Sequence, residues 1–309
     1  SIFLSKEHMK QAYDLIHVHS IPDFEVFAAI LPKLSGAKLI LDIHDIVPEL
    51  YASKFNQNGG NSIFRALVAI EKASAKFSNH VIVSNHIWEK KLLSRSVTQE
   101  KCTVILNYPD QTLFHPRPST RSDDKFIMVY PGTLNWHQGL DLAIKAFSII
   151  KEKAPKAEFH IYGRGGEMEN LKRLITKLNL KDKVLLKPLI PIDQIVEVMA
   201  NADLGIVPKR NDPFGGEAFS TKIFEFMSLG VPVLVSATKI DEYYFNDSVV
   251  KFFEPENVNA LSESMLEMIK NTTLGKTLAA NALKFVEDYS WEKRKWEYLD
   301  LVDRLTHNS

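Results

Sequence analysis

Short apolar runs, recurring between longer amphipathic stretches, constrain this chain more than any single residue does. In the first part they are DLIHVHS (14–20), KLILDIH (38–44), HVIVSN (80–85) and CTVILN (102–107). In the second they are FIMVYPG (126–132), EFHIYG (158–163), KVLLKP (183–188), LGIVP (204–208) and VPVLVS (231–236). Such near-continuous runs suit parallel strands covered by helices on both faces. The stretches GLDLAIKAFSIIKEK, GEMENLKRLITKLNL and IDQIVEVMANA carry the helical period instead. Their alternation with the apolar runs predicts an α/β fold with doubly wound sheets.

Two domains are expected in 309 residues. The proline-containing polar segment FHPRPSTRSDDK (114–125) is the linker candidate. The reading divides the chain into 1–118, 119–289 and a closing helix in 290–309, expected to pack back on the first domain. That helix offers Trp291, Trp296, Tyr298 and Leu299 for packing. The first part opens on a helix remnant and supplies fewer strands than a full nucleotide-binding sheet usually has. It is therefore expected to be partial, the chain lacking its natural beginning.

Charge narrows the partners. The 38 basic residues are balanced by 38 acidic ones, which weighs against broad nucleic-acid binding. The single cysteine, Cys102, cannot form an internal disulfide and fits a reducing compartment. No apolar run reaches the roughly 18 residues of a membrane helix. The opening SIFLSKEHMK lacks the apolar stretch of a signal peptide. A cytoplasmic location is expected.

In open α/β sheets, ligands bind beyond the carboxyl ends of the strands. The first strand ends in His17-Val18-His19-Ser20, with His17 and His19 on one face, and the second in His44-Asp45. These histidines suit acid–base or substrate contact, and equally a satisfied structural role. Gly132 and the run Gly163-Arg164-Gly165-Gly166 follow strands, where a missing side chain admits a ligand or simply makes a turn. The stretch NDPFGGEAFSTKIFEFMSLGVPV (211–233) sets Glu217 in a loop, Ser220 or Thr221 as a helix cap, and Glu225 in the first turn. Lys222 then stands at a helix start, where a cation is disfavoured unless an anion is present. With the helix amides it would cradle a pyrophosphate; alternatively it reaches into solvent.

Taken together, these residues resemble the family 4 glycosyltransferases of the GT-B fold. The likeness runs from Phe126 to Leu305 through Pro131-Gly132, GLDLAIKAF, FHIYGRGGEMENLK and ANADLGIVP. Its most specific element is Glu217, seven residues, Glu225, then FMSLGVPV. YDLIHVHS, LILDIHDIVPELY and VILNYPD in the first part are similar too. The resemblance implies two Rossmann-like domains facing each other across a cleft, with a nucleotide-diphosphate sugar as donor and retention at the anomeric carbon. Glu225 would hold the donor ribose, Glu217 the transferred sugar, and Lys222 the diphosphate beside Gly132, Thr133 and Gly163. His19 would stand by the reacting sugar, and His44 and Asp45 would face a glycan or lipid-linked acceptor. Polysaccharide or glycoconjugate synthesis is the implied setting. Asp212, in DPFG, imitates the motif's first acid, but counting back from GVPV selects Glu217.

The pattern also departs from the family. Thr133 and Gln138 stand where many members carry an arginine and a lysine for the diphosphate. Lys222, Lys209 and Arg210 are the candidates to compensate. No aspartate-x-aspartate pair stands at a strand end, so neither a metal nor another cofactor is indicated. Two rival readings stay open: a nucleotide-sugar epimerase of the same architecture, and a non-catalytic nucleotide-sugar-binding partner subunit. The segment 86–101, with Trp88, Leu92 and Leu93 among basic residues, either packs on the sheet or makes a peripheral contact with the inner face of the membrane.

Overall fold

The computed structural model describes residues 2–55 and 61–307. The chain forms two compact units. One comprises residues 1–107, 217–219 and 294–309, and the other 108–216 and 220–293.

The first unit contains a parallel sheet in the order β1 (Leu15–His19), β2 (Lys38–Ile43), β3 (His80–Val83) and β4 (Cys102–Val104). Leu39, Ile40, Leu41 and Ile43 of β2 are fully buried, as a strand covered on both faces requires. Asp42 is the charged residue set among them. The helix Trp291–His307 places Tyr298, Leu301, Val302 and Leu305 on one face by its period. Leu301 is buried with Ile40 and Ile82, and the other three pack beside them.

The second unit holds β5 (Phe126–Thr133), β6 (Ala157–Arg164), β7 (Val184–Lys187), β8 (Leu204–Val207), β9 (Val233–Ser236) and β10 (Lys251–Phe253). All are parallel, in the order β10-β9-β8-β5-β6-β7. β10 is not among the strands expected from the sequence; Lys251 interrupts the apolar stretch VVKFF from which it forms, although the buried Val249 and Val250 lead into it. The strand order reverses between β5 and β8, and the crevice at such a switch point is where open sheets bind ligands. Met128, Tyr130, Phe159, Ile161, Leu204, Ile206 and Leu234 form the sheet's share of the core, under Ala143, Ile144 and Phe147 of the helix Leu140–Ile150.

The helix Thr221–Ser228 lies close on β8 because Gly205 has no side chain. A Cβ there would come within 2.6 Å of the Phe226 ring. That contact fixes the helix against the sheet and so fixes where Lys222 and Glu225 stand. Among the described residues no helix is long and apolar enough to cross a membrane.

Candidate functional site

A cavity of about 350 Å³ opens at the carboxyl end of β5 in the second unit. Pro131, Gly132 and Thr133 form one wall, and Thr221, Lys222 and Glu225 another. Tyr162, Leu189, Ile190, Ile192, Ile195 and Met199 supply an apolar remainder. Gly132 has φ +135°, in the left-handed region that favours glycine, and a Cβ there would lie 2.5 Å from Lys222 Cε. The glycine therefore makes room for the lysine. Beneath it, the Tyr130 ring lies with its centroid 5.3 Å from Lys222 Nζ.

Lys222 has no ion-pair partner among the described residues. Burial pushes its amine below the ordinary lysine range, and Glu225 opposes that shift while Lys209 adds to it. Burial likewise raises the Glu225 carboxyl, with Lys222 pulling the other way. Each charge is thus only partly compensated. The helix begins at Thr221, which puts Glu225 in its second turn rather than the first, a correction to the sequence reading. Ser220 occupies the cap position but makes no capping hydrogen bond, and its buried Oγ has no partner among the described residues. It does not line the cavity. A partly desolvated cation at a helix start is a setting that suits an anion.

Two of the three compensating cations named from the sequence, Lys209 and Arg210, are committed elsewhere. Lys209 is buried, with Nζ 2.9 Å from Asp241, and is not among the residues lining the cavity. Arg210 pairs with Asp141 at 2.9 Å, donates to the Trp136 carbonyl at 3.0 Å and stacks on the Trp136 ring at 4.5 Å. Gln138 is turned to the buried Tyr130 hydroxyl, 3.0 Å from its Oε1. Gly163 serves packing: a Cβ there would fall 1.8 Å from the Gly132 carbonyl oxygen, so its absence lets the ends of β5 and β6 meet. Asp212 caps its own turn by accepting from the amides of Phe214 and Gly215. Glu217 groups with the first unit, where its carboxylate pairs with Lys91 and its carbonyl accepts from Asn85.

At the ends of β1 and β2 a second polar cluster forms. The register pairs His19 with Asp42, and strand alternation puts His17 and His19 on one face, their rings stacked at 4.3 Å. His17 Nε2, His19 Nδ1 and His44 Nε2 each lie 3.2 Å from the same oxygen, Asp42 Oδ2. His19 Nδ1 is 3.0 Å from His44 Nε2, and the Tyr298 hydroxyl is 2.9 Å from His17 Nδ1. Burial works to raise the Asp42 carboxyl, but hydrogen bonds from His17 and His44 outweigh it and hold it at about 2. The Asp42 hydrogen bond raises His44, whereas burial and the neighbouring His17 lower His19. Asp45 is raised by its burial. Asp42 and Tyr298 are the site residues that sequence reasoning passed over. An acid inside an otherwise apolar strand was the available signal for Asp42; Tyr298 had none beyond its aromatic ring.

The family model described as Glycosyl transferases group 1 matches residues 112–285. The phosphatidylinositol N-acetylglucosaminyltransferase gpi3 subunit of Schizosaccharomyces pombe is 31% identical over 298 residues, covering 96% of this chain. The match spans 60% of that relative's own length. Among solved structures, the sucrose-phosphate synthase of Thermosynechococcus elongatus superposes with a TM-score of 0.80 at 18% identity, over 99% of this chain and 77% of its own. Anabaena Alr3699/HepE, solved in complex with UDP, gives 0.79 at 19% identity, over 97% and 81%.

Proposed function

The chain belongs to the group 1 glycosyl transferases, and from that premise we propose that it moves a sugar from a nucleotide-diphosphate donor to an acceptor hydroxyl. The observation that carries this reading is Lys222, a partly desolvated cation without an ion-pair partner among the described residues, set between the Gly132 backbone and a helix start. In this reading the diphosphate sits against Lys222 and the first amides of the helix Thr221–Ser228. The Glu225 carboxylate accepts from the ribose hydroxyls, and the base lies along Leu189, Ile190 and Tyr162. The cavity is of the size that holds a small ligand. That Alr3699/HepE was solved with UDP supports a nucleotide as part of the donor.

Leaving-group charge would be stabilised by preorganised donors, since Lys222 and the amides are in place before the diphosphate departs. Roles for Glu217 and His19 at the transferred sugar belong to this reading as what the family resemblance implies. Retention at the anomeric carbon and a glycan or lipid-linked acceptor belong to the same reading and rest on the family resemblance; a cytoplasmic location belongs to it too, on the single cysteine.

Calorimetric titration with UDP, GDP and ADP, and with their sugars, tests it. Lys222→Ala and Glu225→Ala are each expected to weaken the preferred nucleotide by about 100-fold, the loss of a charge-assisted contact. Unchanged affinity in both variants would overturn the assignment. The non-catalytic alternative draws on one observation, the commitment of Lys209 and Arg210 to Asp241 and Asp141. Nucleotide binding with neither transfer nor donor hydrolysis, across an acceptor panel, would favour it.

A further inference from the structure

Three imidazole nitrogens converge on one carboxylate oxygen in the first unit, and hydrogen bonding accounts for that arrangement poorly. An ionised carboxylate oxygen offers about two lone-pair directions, fewer than the nitrogens that crowd Asp42 Oδ2. His19 Nδ1 and His44 Nε2, 3.0 Å apart, must in addition divide one proton between them or face each other as like groups. A cation among the same atoms would use every lone pair.

We propose that His17 Nε2, His19 Nδ1 and Asp42 Oδ2 form a binding site for a divalent transition metal of the zinc class, with His44 nearest to a fourth position. The ligand atoms of the three lie within 4.8 Å of one another, and both histidine nitrogens stand 3.2 Å from the carboxylate oxygen. Zinc bonds of about 2.0–2.2 Å at tetrahedral angles set their ligand atoms about 3.3–3.6 Å apart. The two nitrogen–oxygen edges therefore need to open by only a few tenths of an ångström. Two nitrogens and one oxygen, with a third nitrogen beside them, select zinc, nickel or copper over magnesium and calcium, which take oxygen ligands.

The surroundings fit a ligand set too. His17 and Asp42 are held, at 19% and 12% side-chain exposure, whereas His19 at 61% and His44 at 38% leave a path from solvent. The Tyr298 hydroxyl on His17 Nδ1 supplies the outer contact that orients a metal-bound histidine and leaves Nε2 facing the metal. Both carrier strands are paired in register, so the set is mounted on rigid backbone rather than on a loop. The absence of an aspartate-x-aspartate pair, which led the sequence reading to expect no metal, does not bear on a histidine site of this kind. If His19 contacts the reacting sugar, an occupied site would withdraw it from transfer; that consequence alone rests on the proposed function.

The test is uptake by the intact chain. Purified protein is stripped with chelator, incubated with Zn²⁺ or Co²⁺, desalted and measured for bound metal and for the visible bands of four-coordinate Co²⁺. One retained equivalent with those bands is expected, reduced at least about tenfold in affinity by His19→Ala and by Asp42→Asn. His19 is exposed, so its truncation leaves folding intact, and circular dichroism checks Asp42→Asn. No stoichiometric uptake, or uptake that survives either substitution in folded protein, overturns the proposal. Nucleotide titration of the same Asp42→Asn protein reads the second unit separately. Failure of the metal site and failure of the donor site are thus distinguishable.

Discussion

Two strand-end clusters carry the chain's concentrated polarity, and they differ in how far their charges answer one another. At the ends of β1 and β2, three histidines surround Asp42, and two of them, His17 and His44, hold its carboxyl at about 2 against the burial that would raise it. At the end of β5, Lys222 and Glu225 share a cavity, yet burial shifts each away from its charged form. The second unit repeats the contrast within itself. Lys209 and Arg210 are cations as buried as any in the chain, and both rest against aspartates. A cation with a carboxylate beside it needs no ligand, because its desolvation is already offset. One without a partner costs stability until an anion arrives. Partnership, more than position in a motif, separates the lysine held by the fold from the lysine proposed to bind the donor.

The largest effect should come from breaking the satisfied pair. Lys209→Ala leaves the fully buried Asp241 without its cation and should cost about 3–5 kcal/mol in urea unfolding. The double variant Lys209→Met with Asp241→Leu should recover most of that loss. A single variant that unfolds like the parent would show that Lys209 is not the structural cation described here. Lys222 should behave in the opposite way. Lys222→Met should leave urea stability unchanged or raised, while nucleotide-diphosphate affinity falls about 100-fold, or about 2.7 kcal/mol. If instead Lys222→Met unfolds the protein and Lys209→Ala abolishes binding, the contrast is reversed and the roles must be exchanged.

The sequence made the architecture legible where periodicity had length to act. The strands β1 to β9 each overlap an apolar run visible in the chain; β10, whose stretch is broken by Lys251, does not announce itself. The grouping of Gly132, Lys222 and Glu225 around one cavity was legible because they lie in short stretches whose local structure is strongly determined. Partnerships between distant residues were not. Nothing in Lys209 predicts Asp241, and nothing in His17 predicts Tyr298, separated by 281 positions and brought together only by the fold. Asp42 lay in plain view inside KLILDIH, but its meaning depends on a parallel register that sets it opposite His19.

Gly132 offers a sharper and smaller test, because it joins backbone and charge. Gly132→Ala should cost about 1–2 kcal/mol, from a side chain forced into φ +135°. The new Cβ would stand 2.5 Å from Lys222 Cε, so the lysine must also move. Nucleotide affinity should fall with stability, and crossing the substitution with Lys222→Met should recover part of the stability alone. Additive stability losses would show that the glycine and the lysine are not coupled.

The smallest effect concerns an acid in the first unit that, unlike Asp42, lacks a histidine shell. Asp23 is 3% exposed, with Oδ1 unpartnered among the described residues, and burial, then the nearby Glu71 carboxylate, push it up to about 6 against a Ser20 hydrogen bond and the Arg95 charge. Its folded value lies above the ordinary 3.8, so between the two the folded chain binds more protons than the unfolded one. The stability this confers is complete below about 3.8 and is lost as pH rises through about 6. Asp23→Asn, neutral throughout, should therefore gain on the order of 1 kcal/mol over the parent at pH 8 and little at pH 4. Thermal unfolding at the two pH values measures it. A gain that is equal at both would mean that the carboxylate's charge is not what the fold resists, and that Asp23 has a partner as effective as the histidines around Asp42.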